Sequence, residues 1–244
     1  MSRLSETLAI LLGVDVLNPK HSDRLVRHLQ RYFVHFPCDL VIDCGANRGQ
    51  FARECRLAGY RGAMRSLEPL AAPFAELSAH AARDAGWTVS QLAVGAANGE
   101  LTLNFRPGRE ELASALNAEP GMVDRFGGLA FSATETVPLR RLDGLLVEWK
   151  VPTTAKLFVK SDTQGFDLQV LQGLGGRIAQ VDGLALEMSV RPLYENMPSH
   201  WEVLDFARAN GFEPFGFATV TRDTTGGMIE YDALFRRPPR RAIP

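Results

Sequence analysis

Apolar positions recur along this chain in two rhythms. Three- and four-residue steps mark helices over residues 3–13 and 22–36. The second carries Leu25, Leu29, Tyr32, Phe33 and Phe36 on one stripe before Pro37 stops it. Compact apolar runs at Asp39–Asp43, Ala63–Leu67, Thr88–Leu92, Leu157–Lys160 and Gly183–Met188 are of the kind found in buried parallel strands. Helical patterns lie between them, over Gln50–Leu57, Pro69–Asp84, Phe166–Ala179 and His200–Asn210, the last ending at Gly211 as a C-terminal cap. Val137–Trp149 reads as a strand end followed by a helix, and Leu101–Phe105 alternates like a strand with one wet face. Phe215–Thr221 and Met228–Phe235 form a closing pair of strands. The alternation of elements predicts an α/β fold, with a mostly parallel sheet covered by helices on both faces. Residues 106–135 break the rhythm with Gly108, Pro120, Gly121, Gly127 and Gly128, and are expected to form a lid-like insertion.

Bulk properties narrow the function classes. At 244 residues the chain is long enough for one well-buried domain and short for two. A formal net charge of -1 gives no general attraction to nucleic acid or acidic membranes. The longest apolar run near the N-terminus, Leu8–Val14, is too short to span a bilayer and has the wrong flanks for a signal peptide. Cys38, Cys44 and Cys55 form neither a disulfide framework nor a zinc-type spacing, so a reducing, cytoplasmic setting is expected. Cys44 reads as a small buried side chain in a tight turn, with a reactive thiol as the alternative. The basic, proline-rich tail Arg236–Arg241 reads as a solvated segment.

Chemistry concentrates at strand ends. Asp43 to Gln50 (DCGANRGQ) joins the first strand to a helix through a glycine turn. Gly45 and Gly49 allow close approach of backbone to a ligand, with Ala46, Asn47 and Gln50 around it. Asn47 stands where a dinucleotide fingerprint has its second glycine. Asp43, two residues before Gly45, would repel a pyrophosphate but suits a ligand carrying an ammonium and a sulfonium, which favours S-adenosylmethionine. Glu68 ends the next strand, where a carboxylate can accept both ribose hydroxyls; a helix-terminal charge beside Pro69 is the alternative. Gln91–Gly95, with Ala93 and Val94, is placed to sandwich an adenine. Asp162, within Lys160–Asp167, points toward the same cleft as Asp43; its alternative is an N-cap for the following helix. Glu187 ends a further strand. The loop after it, Met188–Pro198, holds Arg191, Tyr194 and Glu195 and is placed to bind an acceptor, with a surface salt bridge as the alternative for Arg191. His200 reads as a helix-start residue.

Taken in order, VIDCGANRGQF, SLEP, QLAVG, VPLRRLDGLL, FVKSDTQGFDLQVLQG and IEYDALF resemble the FkbM-type S-adenosylmethionine-dependent methyltransferases, over roughly Leu40 to Arg236. The resemblance implies a class I, Rossmann-like methyltransferase fold, with a seven-stranded sheet and an antiparallel last strand. It implies O-methylation of a hydroxyl on a sugar, glycolipid, polysaccharide or natural product. By it, Asp43–Gln50 would bind the methionine part, Glu68 the ribose, and Ser114 would lie in a serine-rich stretch near the cofactor. Where the family usually shows K-I-D-V-E-G, this chain has Lys160-Ser-Asp-Thr-Gln-Gly165, so Gln164 replaces a second carboxylate. The domain division expected is an N-terminal helical cap over residues 1–37 and a catalytic domain over 38–244.

The mechanism expected is in-line methyl transfer, driven mostly by positioning and desolvation. A base would add about 10²–10⁴-fold, with Asp162 and Glu187 as candidates. A magnesium ion held by one or both is left open. The expected partner is a small-molecule or glycan acceptor, with no nucleic acid and no transmembrane segment; a homodimer is left open too. Two rivals stand beside this reading, a nicotinamide oxidoreductase and a non-catalytic protein that kept the fold.

Overall fold

The computed structural model describes residues 24–120 and 130–238. The helix expected at 3–13 and the centre of the expected insertion lie outside the described residues. Seven strands form the main sheet: β1 (Leu40–Cys44), β2 (Ala63–Leu67), β3 (Trp87–Ser90), β7 (Leu157–Ser161), β8 (Val181–Ser189), β9 (Glu213–Arg222) and β10 (Met228–Arg236). Their order is β3-β2-β1-β7-β8-β10-β9. The central pairs are parallel, and β10 enters antiparallel to both its neighbours. This is the seven-stranded class I methyltransferase sheet that the resemblance implied, with its last strand reversed.

Strand alternation sorts the core into two layers. Leu40, Ile42 and Cys44 of β1 pack with Leu157 and Val159 of β7 against α4 (Leu142–Glu148), α5 (Asp167–Gln172) and α6 (His200–Ala209). Val41, Phe158, Ala185 and Leu234 face the other way, toward α1 (Leu25–His35), α2 (Gln50–Leu57) and α3 (Ala71–Ala81). Tyr32 of α1 anchors that second layer, edge-on to Phe158 at 5.0 Å and to Phe215 at 5.7 Å.

A smaller sheet, β4-β6-β5, stands beside the main one, built from β4 (Ala93–Val94), β5 (Gly99–Phe105) and β6 (Ala133–Arg140). The strand expected at Leu101–Phe105 therefore belongs to this sheet. The third main strand ends at Ser90 because Ala93 and Val94 leave to pair with Leu139 and Arg140. The long helix expected over Phe166–Ala179 stops at Gln172. Close approach to the Gly95 carbonyl oxygen, which a Cβ on Gly173 would meet at 2.3 Å, requires glycine at 173, and a 3-10 turn over Gly175–Gln180 follows, opened by Gly175 at φ +50°. No helix among the described residues is long and apolar enough to cross a membrane.

Candidate active site

The parallel register places the site's first ion pair. Asp43 on β1 lies opposite Lys160 on β7 and Ser66 on β2. Facing residues of adjacent strands share a face of the sheet. The Lys160 Nζ is 3.1 Å from Asp43 Oδ1 and 3.6 Å from Asp162 Oδ2, and donates to the Gly45 carbonyl at 2.8 Å. Burial works against the lysine's charge, but the Asp43, Asp162 and Glu187 carboxyl groups outweigh it and hold Lys160 charged, well above the usual range. Behind the pair, Trp87 Nε1 donates to Ser66 Oγ (2.9 Å), which donates to Asp43 Oδ2 (3.1 Å). Asp43 is thus sealed beneath the glycine loop, at 1% exposure.

Above it the loop turns sharply. Gly45 (φ 71°), Asn47 (φ 46°) and Gly49 (φ 83°) all take left-handed backbone. The Asn47 N–H donates to Glu68 Oε2 (2.7 Å) and the Leu70 N–H to Oε1 (2.9 Å). Burial nevertheless pushes the Glu68 carboxyl up, to about 7, against those two bonds. Both oxygens keep a second acceptor site for hydroxyls.

A cavity of about 320 Å³ runs along this strand edge, a size suited to a small-molecule ligand. Gly45, Ala46, Asn47, Gln50 and Glu68 line it near β1 and β2. Ala93 and Val94 line one end with Leu70, Leu92 and Phe166. Asp162, Glu187, Asp232, Glu54, Leu25 and Val220 line the other. Counting Glu110 and Glu111 at its rim, seven carboxylates face the space and Lys160 supplies the basic side chain. Such a lining attracts a cation and repels a pyrophosphate.

The acidic end is organised by Gln164. Its Nε2 donates to Asp162 Oδ1 (2.9 Å) and to Glu187 Oε2 (2.7 Å), and its Oε1 accepts from the Tyr194 hydroxyl (2.5 Å). Burial and the nearby Asp162 push the Glu187 carboxyl well up. Gln164 holds left-handed backbone (φ 52°), and the Ser114 hydroxyl donates to its carbonyl at 2.7 Å. Asp167 ties the loop from below, accepting from Ser161, the Thr163 N–H and the Thr163 hydroxyl. Asp162 does not cap α5, whose N-terminus has no side-chain cap.

The structure thus gathers Gly45, Ala46, Asn47, Gln50, Glu68, Ala93, Val94, Asp162 and Glu187 around one space. Asp43 and Gly49 stand behind that lining. The hydroxyls of Ser114 and Tyr194 are spent on protein partners, holding Gln164. Arg191 is exposed, 3.7 Å from Asp223. His200 opens α6 behind the Ser199–Glu202 capping box. Cys44 is buried and its thiol is pushed up by burial, as a packing residue's would be. Among the described residues no group of three or more His, Cys, Asp or Glu is arranged to hold a metal ion.

Three residues carry more than the sequence reading gave them. Lys160 sits at the end of an apolar strand, where an ionisable side chain is itself a signal. Glu54 follows the glycine turn by one helical turn. Asp232 alternates with Glu230 in the closing strand and lies opposite Glu187. Burial first, and then the Asp162 carboxylate, push Asp232 up to about 7, against the pull of Lys160. An acid raised in the folded state binds its proton more tightly there than when unfolded. The stability that Glu68 and Asp232 contribute is therefore full below the ordinary carboxyl range and lost as pH rises through about 7. The melting temperature of the ligand-free protein is expected to fall across that window. A pH series of melting curves checks this, with Glu68→Gln flattening part of the slope.

A family model described as the methyltransferase FkbM domain matches residues 43–214. Among solved structures, the methyltransferase FkbM from Methylobacillus flagellatus KT aligns with a TM-score of 0.50 and 14% identity, covering 88% of this chain and 50% of that one. The chain thus spans about half the length of that relative. The precorrin-6y C5,15-methyltransferase of Geobacter metallireducens GS-15 aligns over 88% of both chains, at a TM-score of 0.47 and 10% identity. A Burkholderia thailandensis 1,6-didemethyltoxoflavin-N1-methyltransferase, solved with bound 1,6-didemethyltoxoflavin and S-adenosylhomocysteine, aligns at a TM-score of 0.43 and 14% identity, over 97% of this chain and 87% of that one. No curated protein sequence matches the chain.

Proposed function

This chain belongs to the FkbM methyltransferase family, and from that premise we propose that it transfers the methyl group of S-adenosylmethionine to a hydroxyl of a sugar, glycolipid, polysaccharide or natural-product acceptor. The observation that carries the proposal is the cavity itself, a glycine cradle at its centre with carboxylates around one lysine. S-adenosylmethionine is the cofactor whose charge suits that lining. The Gly45–Asn47 backbone would take its methionine part, Glu68 its ribose, and Ala93, Val94 and Phe166 its adenine. When bound, it supplies a methyl group already activated on sulfonium sulfur. The chain's task is then to position the acceptor and exclude water. Asp162 and Glu187, tied together by Gln164, orient the acceptor hydroxyl at the far end. The acid cluster would manage the acceptor's proton.

Calorimetric titration with S-adenosylmethionine, S-adenosylhomocysteine and NAD separates this reading from its rivals. Binding of the first two without NAD is expected, and NAD binding alone would overturn it. Labelled S-adenosylmethionine offered with a panel of hydroxylated and amine-bearing sugars then tests the acceptor class. Label carried on nitrogen in place of oxygen would sink the O-methyl assignment.

A further inference from the structure

We propose, resting on that hydroxyl-directed reading, that Asp232 takes the acceptor's proton. Four carboxylates line this end of the cavity: Glu54 stands on α2, and of the three along the sheet, Asp162 and Glu187 are already engaged. Gln164 has two amide protons, and spends them on Asp162 Oδ1 and Glu187 Oε2. Its oxygen is held by Tyr194, so the amide cannot turn away. Asp162 also faces the Lys160 ammonium through its other oxygen, at 3.6 Å. Glu187 is pushed well up by burial and by Asp162, and its Oε2 already accepts from Gln164. Asp232 stands opposite Glu187 in the β8–β10 ladder and lines the same space. It has no hydrogen-bond or ion-pair partner among the described residues. The charged groups around it are Glu54 on α2, Lys160 and Asp162 at β7, Glu187 on β8 and Glu230 on β10, while β9 sets the neutral Ala218 opposite it. Lifted to about 7, its carboxylate is basic enough to accept a proton as a hydroxyl becomes an ether.

The step balances without another reagent. An acceptor oxygen lone pair forms the new O–CH₃ bond while the S–CH₃ electron pair returns to sulfur. The hydroxyl proton passes to an Asp232 oxygen and later to solvent. The positive charge of the sulfonium is thus released as that proton.

Sinefungin tests the placement without a known acceptor, because its protonated amine occupies the position of the transferred methyl group. S-adenosylhomocysteine, which has nothing there, is the reference. Asp232→Asn is expected to weaken sinefungin about tenfold, the loss of one close charge pair. It should leave S-adenosylhomocysteine within about twofold, as for an uncoupled site. The retained S-adenosylhomocysteine binding also shows that the variant is folded. Equal losses for both ligands would make Asp232 merely structural, and unchanged sinefungin binding would place it away from the reacting methyl; either overturns the proposal. Wild-type protein that binds neither ligand would instead overturn the S-adenosylmethionine site itself.

Discussion

Replacing Gly45 with alanine is expected to lower affinity for S-adenosylhomocysteine by at least about 100-fold, or some 2.7 kcal/mol. Two effects add. The residue holds φ 71°, a region that costs a residue with a Cβ about 1–2 kcal/mol. The added carbon would also lie 1.9 Å from the Asp162 carbonyl oxygen and 2.9 Å from its carbonyl carbon. Those are backbone atoms, so relief requires moving the segment that carries Asp162 and Gln164. The cradle and the acidic end would shift together. Gly59→Ala separates the two effects, since Gly59 has φ 98° with open space where its Cβ would go. That variant should lose about 1–2 kcal/mol of stability and keep its affinity. Calorimetry and melting curves on both variants check the pair. A Gly45→Ala protein that binds like wild type would show that the loop is not the cradle.

The parts of the site legible in the sequence were those encoded locally. Gly45, Asn47 and Gly49 interrupt an apolar run, and that punctuation alone announces a strand, a tight turn and a helix. Glu68 follows one helix later, at the end of the next strand. Register carries information of another kind. Asp43, Ser66 and Lys160 come from three strands, and Glu187 and Asp232 from two more, yet pairing sets them along one edge. Alternation held the clue, because Val41 and Asp43, Phe158 and Lys160, Ala185 and Glu187, and Leu234 and Asp232 each share a side of their strand. Strand order was needed to add those sides together. Two-residue β4 could not announce its transfer to a second sheet, since its partner β6 lies some forty positions on. Gln164 stood out as a departure from the family's acidic residue. Its hydrogen bonds give that departure a physical role, because an amide can bridge two carboxylates that a third carboxylate would repel.

Lys160→Met is expected to be the most destabilising change that leaves the shape of the site intact. Methionine has nearly the same length and volume, so packing against Phe51 and β1 is kept. What disappears is the charge 3.1 Å from Asp43 and 3.6 Å from Asp162. Asp43 is 1% exposed and cannot recover water, so its carboxylate stays buried with the Ser66 hydroxyl as its remaining donor. Removing one member of such a pair costs about 3–5 kcal/mol, a fall in melting temperature of about 6–20 °C for a domain of this size. The Gly45 carbonyl also loses its donor, which loosens the turn where the cofactor would rest. Asp43→Asn on top of Lys160→Met should recover most of the loss, because the stranded charge is then gone. Chemical denaturation of the two variants measures both steps. A Lys160→Met protein within about 1 kcal/mol of wild type would mean that water reaches Asp43 and that the pair is worth no more than a surface bridge. Near-full recovery in the double variant, with affinity for S-adenosylhomocysteine still reduced, would divide the lysine's work between neutralising Asp43 and holding the glycine turn.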